Sequence, residues 1–204
     1  MNRLVLLLFL CLLTACSANR LFENGCDIGN CKLSGSYVYS AENDVYSLTG
    51  SGVNMWERND EFYMVWKEVS GDFKISAQIA FEGEGVNAHR KMGLIIRESL
   101  EPGSKYADVA VHGDGLTSLQ YRMEKGDITQ EIRSENQMPD HIVLERLGDM
   151  IIIKTGNGRY SEQSDATLEL SMPEKCYAGM FICSHEADVR ETGHFSNVRL
   201  EINK

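Results

Sequence analysis

Phe73-Lys74-Ile75-Ser76-Ala77-Gln78-Ile79-Ala80-Phe81 alternates with period two: the odd positions are apolar, whereas Lys74, Ser76 and Gln78 are polar. Successive side chains of a strand point to opposite faces, so this is a strand with one face on a core and one in water. The same spacing predicts strands near Tyr37 to Tyr39, Val45 to Thr49, Glu61 to Trp66, Lys91 to Arg97, Tyr106 to Val111, Leu116 to Met123 and Ile128 to Arg133. It continues through His141 to Leu147, Met150 to Lys154, Thr167 to Leu170, Tyr177 to Ser184 and His194 to Ile202. Glycine and aspartate turns such as Gly71-Asp72, Gly113-Asp114-Gly115 and Gly148-Asp149 divide the segments. Many short strands with regular turns, and no sustained 3.6-residue pattern, predict an all-β sandwich of two antiparallel sheets with jelly-roll connectivity. No Rossmann glycine fingerprint, P-loop or Gly-x-Ser-x-Gly elbow occurs.

The first residues read differently. A basic start (Asn2, Arg3), an apolar run from Leu4 to Leu13 and Leu13-Thr14-Ala15-Cys16 have the layout of a signal peptide, and the run is too short to cross a bilayer. The tetrapeptide resembles a bacterial lipoprotein signal, which implies loss of residues 1–15, lipidation of Cys16 and a lipid-anchored place in the bacterial cell envelope. Ser17, in place of an aspartate, resembles lipoproteins sorted to the outer membrane. The expected division is a signal peptide over 1–15, a tether over 16–25 in which Leu21 and Phe22 are able to dock, and one domain over 26–204.

The chain carries 30 acidic against 20 basic residues, a formal charge of −10, and loss of Arg3 with the leader makes it one charge more negative. No basic stripe offsets this, so nucleic acid is excluded as a partner. Of six cysteines, four remain once Cys11 is cleaved away and Cys16 is lipidated. Cys26 and Cys31 flank the turn-forming Asp27-Ile28-Gly29-Asn30 and are the expected disulfide in an oxidising compartment. Cys176 and Cys183, seven residues apart, fall on opposite faces of one strand and read as small buried residues. No zinc spacing appears. The oxygen-rich Glu23 to Asn30 suits a structural calcium ion but has no assigning spacing, so a metal site stays unassigned.

From Asp27 onward the ordered text is similar to the regulation-of-enolase-like family of unknown function, which has concanavalin A-like, laminin G-like domains. The residues that carry the resemblance are Gly50-Ser51-Gly52 with Trp56, Asp60 and Phe62, then Ser70 to Ile75, Lys91 to Ser99, and Gln120-Tyr121-Arg122. Leu144 to Asp149, Gly179 to His185 and Phe195 to Val198 complete it. The resemblance implies a sandwich whose concave sheet holds a ligand, in related folds often a glycan. The family's aspartate before the first tryptophan is here Asn54-Met55, and its histidine after the phenylalanine is Tyr63.

The expected ligand-binding residues are Trp56, Asp60, Tyr63, Arg97, Gln120, Arg122 and His185. Trp56, Tyr63, Trp66, Tyr106 and Tyr121 carry the flat apolar faces that sugar rings stack on, although strand aromatics more often fill core. Arg97, Gln120 and Arg122 interrupt apolar strands and need a partner, either a ligand or an internal acid such as Asp60, Asp108 or Glu98. Asp108 and His112 share a strand face and form the alternative catalytic pair. The leading function is a non-catalytic glycan-binding envelope lipoprotein. The alternatives are a saccharide hydrolase or lyase, and an assembly module for another envelope protein.

Overall fold

The computed structural model describes residues 20–159, 161 and 163–202. The leader, Cys16 and residues 17–19 of the expected tether lie outside these residues. All the regular structure described is β, in fourteen strands: β1 (Asn24–Ile28), β2 (Ser36–Ser40), β3 (Val45–Gly52), β4 (Phe62–Ser70), β5 (Phe73–Phe81), β6 (Lys91–Arg97) and β7 (Tyr106–His112). There follow β8 (Thr117–Arg122), β9 (Gln130–Arg133), β10 (His141–Leu147), β11 (Met150–Gly156), β12 (Ala166–Glu169), β13 (Lys175–Cys183) and β14 (Glu186–Ile202). One antiparallel sheet runs β1-β4-β13-β6-β7-β8-β9 and the other β12-β11-β10-β5-β14-β3-β2. The chain is an all-β jelly-roll sandwich, as the alternation predicts.

Parity explains the packing. The inter-sheet core takes Phe73, Ile75, Ala77 and Ile79 from β5, Met92, Leu94 and Ile96 from β6, Val109 from β7 and Leu119 from β8. Cys176 belongs to this core, whereas Cys183 lies on the opposite face with Phe62, Met64, Ile95, Tyr106 and Phe181. That second apolar layer covers part of the outer face of the first sheet, so β6 and β7 are buried along their whole length on both sides. Gly179 stands where a Cβ would overlap the Val65 carbonyl of the neighbouring strand.

Two expectations at the N-terminus are corrected. Residues 24–28 pair with β4, Cys26 opposite Met64, so the tether ends earlier than residue 25. Phe22 is buried in the core and its N–H donates to Tyr46 Oη at 3.0 Å. Cys26 and Cys31 are both free thiols, not a disulfide. Cys26 is committed to the β1–β4 ladder against the Trp66 layer, while Cys31 lies beyond the Gly29 turn with its thiol directed at the Ile28 carbonyl at 3.5 Å. Burial pushes the Cys31 thiol up to about 12. The stretch read as an oxygen-rich loop is thus mostly strand, and Asp27 Oδ1 accepts from Gly35 N at 2.9 Å.

Candidate functional site

The outer face of the first sheet is divided in two by what its buried charges do. At one end, Asp60 comes down onto β6 and β8. Arg97 Nη1 donates to Asp60 Oδ2 at 2.8 Å, and Arg122 grips both carboxylate oxygens at 2.9 and 2.7 Å. All three side chains are fully buried. The remaining guanidinium donors go to the Glu101, Ser104, Glu57 and Asp127 carbonyls at 2.7 to 2.9 Å and to the Ser99 carbonyl at 3.3 Å. Tyr106 lies under both guanidiniums, 5.3 and 5.1 Å from ring centroid to Arg97 and Arg122. Buried charge is tolerated when it is paired and fully hydrogen-bonded, and this cluster is.

The cluster's product is a position for Trp56. Arg122 holds the Glu57 carbonyl, Tyr106 Oη donates to the Met55 carbonyl at 3.0 Å, and Asp60 N donates to the Pro102 carbonyl at 3.0 Å. The segment between β3 and β4 is thereby fastened across the sheet, and Trp56 is left at the edge of an open hollow. Asp60, Arg97 and Arg122, expected as ligand contacts, instead hold the loop that carries Trp56.

The hollow has a volume of about 400 Å³, within the range of small-ligand sites. Asn54 and Trp56 line it from the β3–β4 loop, His89 from the β5–β6 loop, Lys91 from the start of β6, His112 from β7, Leu116 from the β7–β8 turn, Gln120 from β8, Glu131 and Arg133 from β9, and His185 from the β13–β14 turn. Register brings these together: Lys91 pairs with His112, Asp108 with Gln120, Gln120 with Glu131 and Ser118 with Arg133. His89 is carried by a loop pinned by the Arg90–Glu191 ion pair, 2.6 Å apart and nearly buried.

The polar groups form a chain. Lys91 Nζ donates to Gln120 Oε1 at 3.2 Å, and Gln120 Nε2 lies 3.5 Å from His112 Nε2. His112 Nδ1 is 3.0 Å from the Leu116 carbonyl, which only accepts, so the proton sits on Nδ1 and Nε2 keeps its lone pair. Burial, assisted by Lys91, pushes the His112 pKa down to about 4, and burial with Lys91, His112 and His89 pushes His185 down to about 3. Both imidazoles are neutral at pH 7. Burial also lowers the Lys91 pKa and holds Asp108 well above the usual carboxylate range.

Of the expected ligand residues, Trp56, Gln120 and His185 line the hollow, and Asp60, Tyr63, Arg97 and Arg122 do not. Tyr63 faces the inter-sheet core, Tyr106 is buried in the clamp, Tyr121 packs on the core, and Trp66 meets Tyr177 edge to face at 5.1 Å. Asp108 does not orient His112: its Oδ1 accepts from Gln120 N at 3.3 Å, and its buried Oδ2 has no hydrogen-bond partner. Sequence reasoning missed Lys91, His89, Glu131 and Arg133. Lys91 opens an apolar strand, the same signal by which Arg97 is picked out at its other end.

No protein-family model and no curated protein matches this sequence. Solved structures do. A functionally unknown protein from Saccharomyces cerevisiae superposes with a TM-score of 0.63 at 10% identity, over 83% of this chain and 92% of that one. The chain shares their fold. The carbohydrate-binding module CBM66 from Bacillus subtilis gives a TM-score of 0.55 at 14% identity, covering 89% of this chain and 98% of the module. Alginate lyase A1-II′, a member of polysaccharide lyase family 7, gives 0.53 at 4% identity, covering 81% and 82%. At these identities the likeness concerns architecture alone.

Proposed function

We propose that this protein binds a saccharide in the hollow beside Trp56 and acts as a recognition domain, not as a catalyst. The observation that carries the reading is Trp56 held at the rim of a concave site whose floor is Gln120, Lys91 and two neutral imidazoles. An indole covers the apolar face of a sugar ring, while Gln120 both donates to and accepts from hydroxyls. One similar fold is by name a carbohydrate-binding module and another an alginate lyase, which makes a saccharide a reasonable ligand for this architecture.

The catalytic alternative is less well supported. Glycoside hydrolysis ordinarily uses two carboxyl groups, and among the residues lining the hollow Glu131 is the one carboxylate. His112 is oriented by a backbone carbonyl and not by Asp108, so the expected dyad is not assembled. The assembly reading has less behind it: among the described residues the most exposed apolar side chains, Val38, Val86 and Met138, lie on a strand and two separate loops.

The binding domain, on this proposal, works from the cell envelope, anchored through a lipidated Cys16, and belongs with the regulation-of-enolase-like proteins its ordered residues resemble. Replacing Cys16 by Ala is expected to move the protein from the membrane to the soluble fraction. A glycan array probed with the protein and with Trp56→Ala tests the site. Loss of signal in a variant that melts at the wild-type temperature supports the reading; an unchanged array pattern, or no glycan bound by either protein, overturns it.

A further inference from the structure

The charges around the hollow oppose those of the molecule. In a chain with 30 acidic and 20 basic residues, the hollow gathers Lys91, Arg133 and three of the five histidines. Its one carboxylate, Glu131, is already 2.6 Å from Arg133 Nε. Outside the lining, the buried Asp108, whose pKa burial holds high, acts on Lys91 from β7, and Asp114 acts on His112 from the β7–β8 turn. Asp60 is consumed by two arginines. Asp108, Asp60 and Glu131 attract Lys91 through space, but among the described residues no carboxylate accepts a hydrogen bond from its Nζ.

Lys91 is also under-used as a donor. An ammonium has three N–H groups. This one is 1% exposed and makes a single hydrogen bond among the described residues, to Gln120 Oε1. Beside it, His185 Nε2 is buried with no partner, and His185 adopts φ +60°, a backbone conformation uncommon for a non-glycine residue. Desolvating a charge and leaving it nearly unpaired is costly. A hollow that keeps such a charge together with an unpartnered imidazole Nε2, carrying the proton of the neutral ring, is furnished for an oxygen acceptor with negative charge.

We propose that the saccharide bound here is acidic, and that its anionic group, a carboxylate or a sulfate ester, is seated on Lys91 Nζ and His185 Nε2 while Trp56 covers the adjoining ring. The inference rests on the saccharide reading above and adds the ligand's charge to it. The anion supplies the acceptor that Lys91 lacks, and the chain's negative surface keeps acidic polymers away from other faces of the domain. Gln120 links the seat to His112, so the floor is already ordered before ligand arrives.

The test compares glycans that differ only in charge: polygalacturonate against its methyl ester, which varies carboxylate alone, and κ-carrageenan against its desulfated form, which varies sulfate alone. Titration calorimetry is run on the wild type, Lys91→Met and His185→Gln. Lys91→Met removes a buried, poorly paired charge at nearly constant volume, so it is expected to melt at or above the wild-type temperature. The expected result is at least tenfold tighter binding of the acidic member of one pair, with that preference abolished by Lys91→Met and weakened by His185→Gln. Whichever pair shows it distinguishes carboxylate from sulfate. Equal binding of charged and neutral members, or a charge preference that survives Lys91→Met, overturns this inference and leaves saccharide binding standing. Failure of these glycans and of every array glycan to bind overturns both.

Discussion

Replacing Asp60 by Ala should come close to unfolding this domain, although Asp60 touches no ligand site. The carboxylate accepts three charge-assisted hydrogen bonds of 2.7 to 2.9 Å from Arg97 and Arg122, and no atom of the three side chains reaches solvent. Its loss leaves two guanidiniums facing each other in the interior without their counter-ion. Breaking a buried ion pair in this way costs about 3–5 kcal/mol. For a domain of this size each kcal/mol is worth roughly 2–4 °C, so the melting temperature should fall by about 6–20 °C. Calorimetry or urea unfolding monitored by circular dichroism measures it. Asp60→Asn, which keeps acceptor geometry on one oxygen but no charge, should fall in between. A loss of less than about 2 °C for Asp60→Ala would mean that water reaches the cluster, and the argument that it fastens the Trp56 loop would fail with it.

Other consequences follow from the same chemistry. His112 has a folded pKa of about 4 against an ordinary 6.5. Between these values the unfolded chain takes up a proton that the native site refuses, so stability present above pH 6.5 is lost as pH falls toward 4. Relative to His112→Gln, the wild type should lose about 2 kcal/mol between pH 7 and 5; parallel stability curves for the two proteins would refute the burial argument. Cys26 and Cys31 should run as two thiols in mass spectrometry of the alkylated, unreduced protein, and Cys31 should alkylate slowly at pH 8 because its pKa is raised to about 12. A peptide pair that takes up no alkyl group and is two hydrogens lighter than the unalkylated dithiol would restore the disulfide. Gly179→Ala should destabilise by roughly 1–3 kcal/mol through overlap with the Val65 carbonyl, read by the same urea unfolding.

The fold was legible because parity is a local property. In β5, Phe73, Ile75, Ala77 and Ile79 are the residues that reach the inter-sheet core, as their spacing requires. The same rule placed Gln120 and Arg122 on one face, and they share it. Parity says nothing of what lies above a face. The Met55–Asp60 segment covers Arg122 and leaves Gln120 open, so two residues with the same sequence signal have opposite fates. Lys91 was masked in a similar way, as the first polar residue of an apolar strand; its meaning appears only when register sets it against His112 and across from Gln120. At the N-terminus, Asp27-Ile28-Gly29-Asn30 carries turn residues, but Cys26 and Asp27 satisfy their backbone on β4 before the turn begins. A ladder partner nearly forty residues away cannot be read from a local tetrapeptide.

The chain has only two tryptophans, and they separate the site from the rest of its sheet face. Trp56 overhangs the hollow, while Trp66 packs on Tyr177 outside it. Their indole N–H signals in a nitrogen–proton correlation spectrum therefore report directly on where a saccharide sits. On titration with a glycan that binds, the Trp56 indole signal should shift in proportion to occupancy and the Trp66 signal should stay in place. A bound glycan that moves Trp66 and leaves Trp56 unmoved would put the site elsewhere and contradict the account.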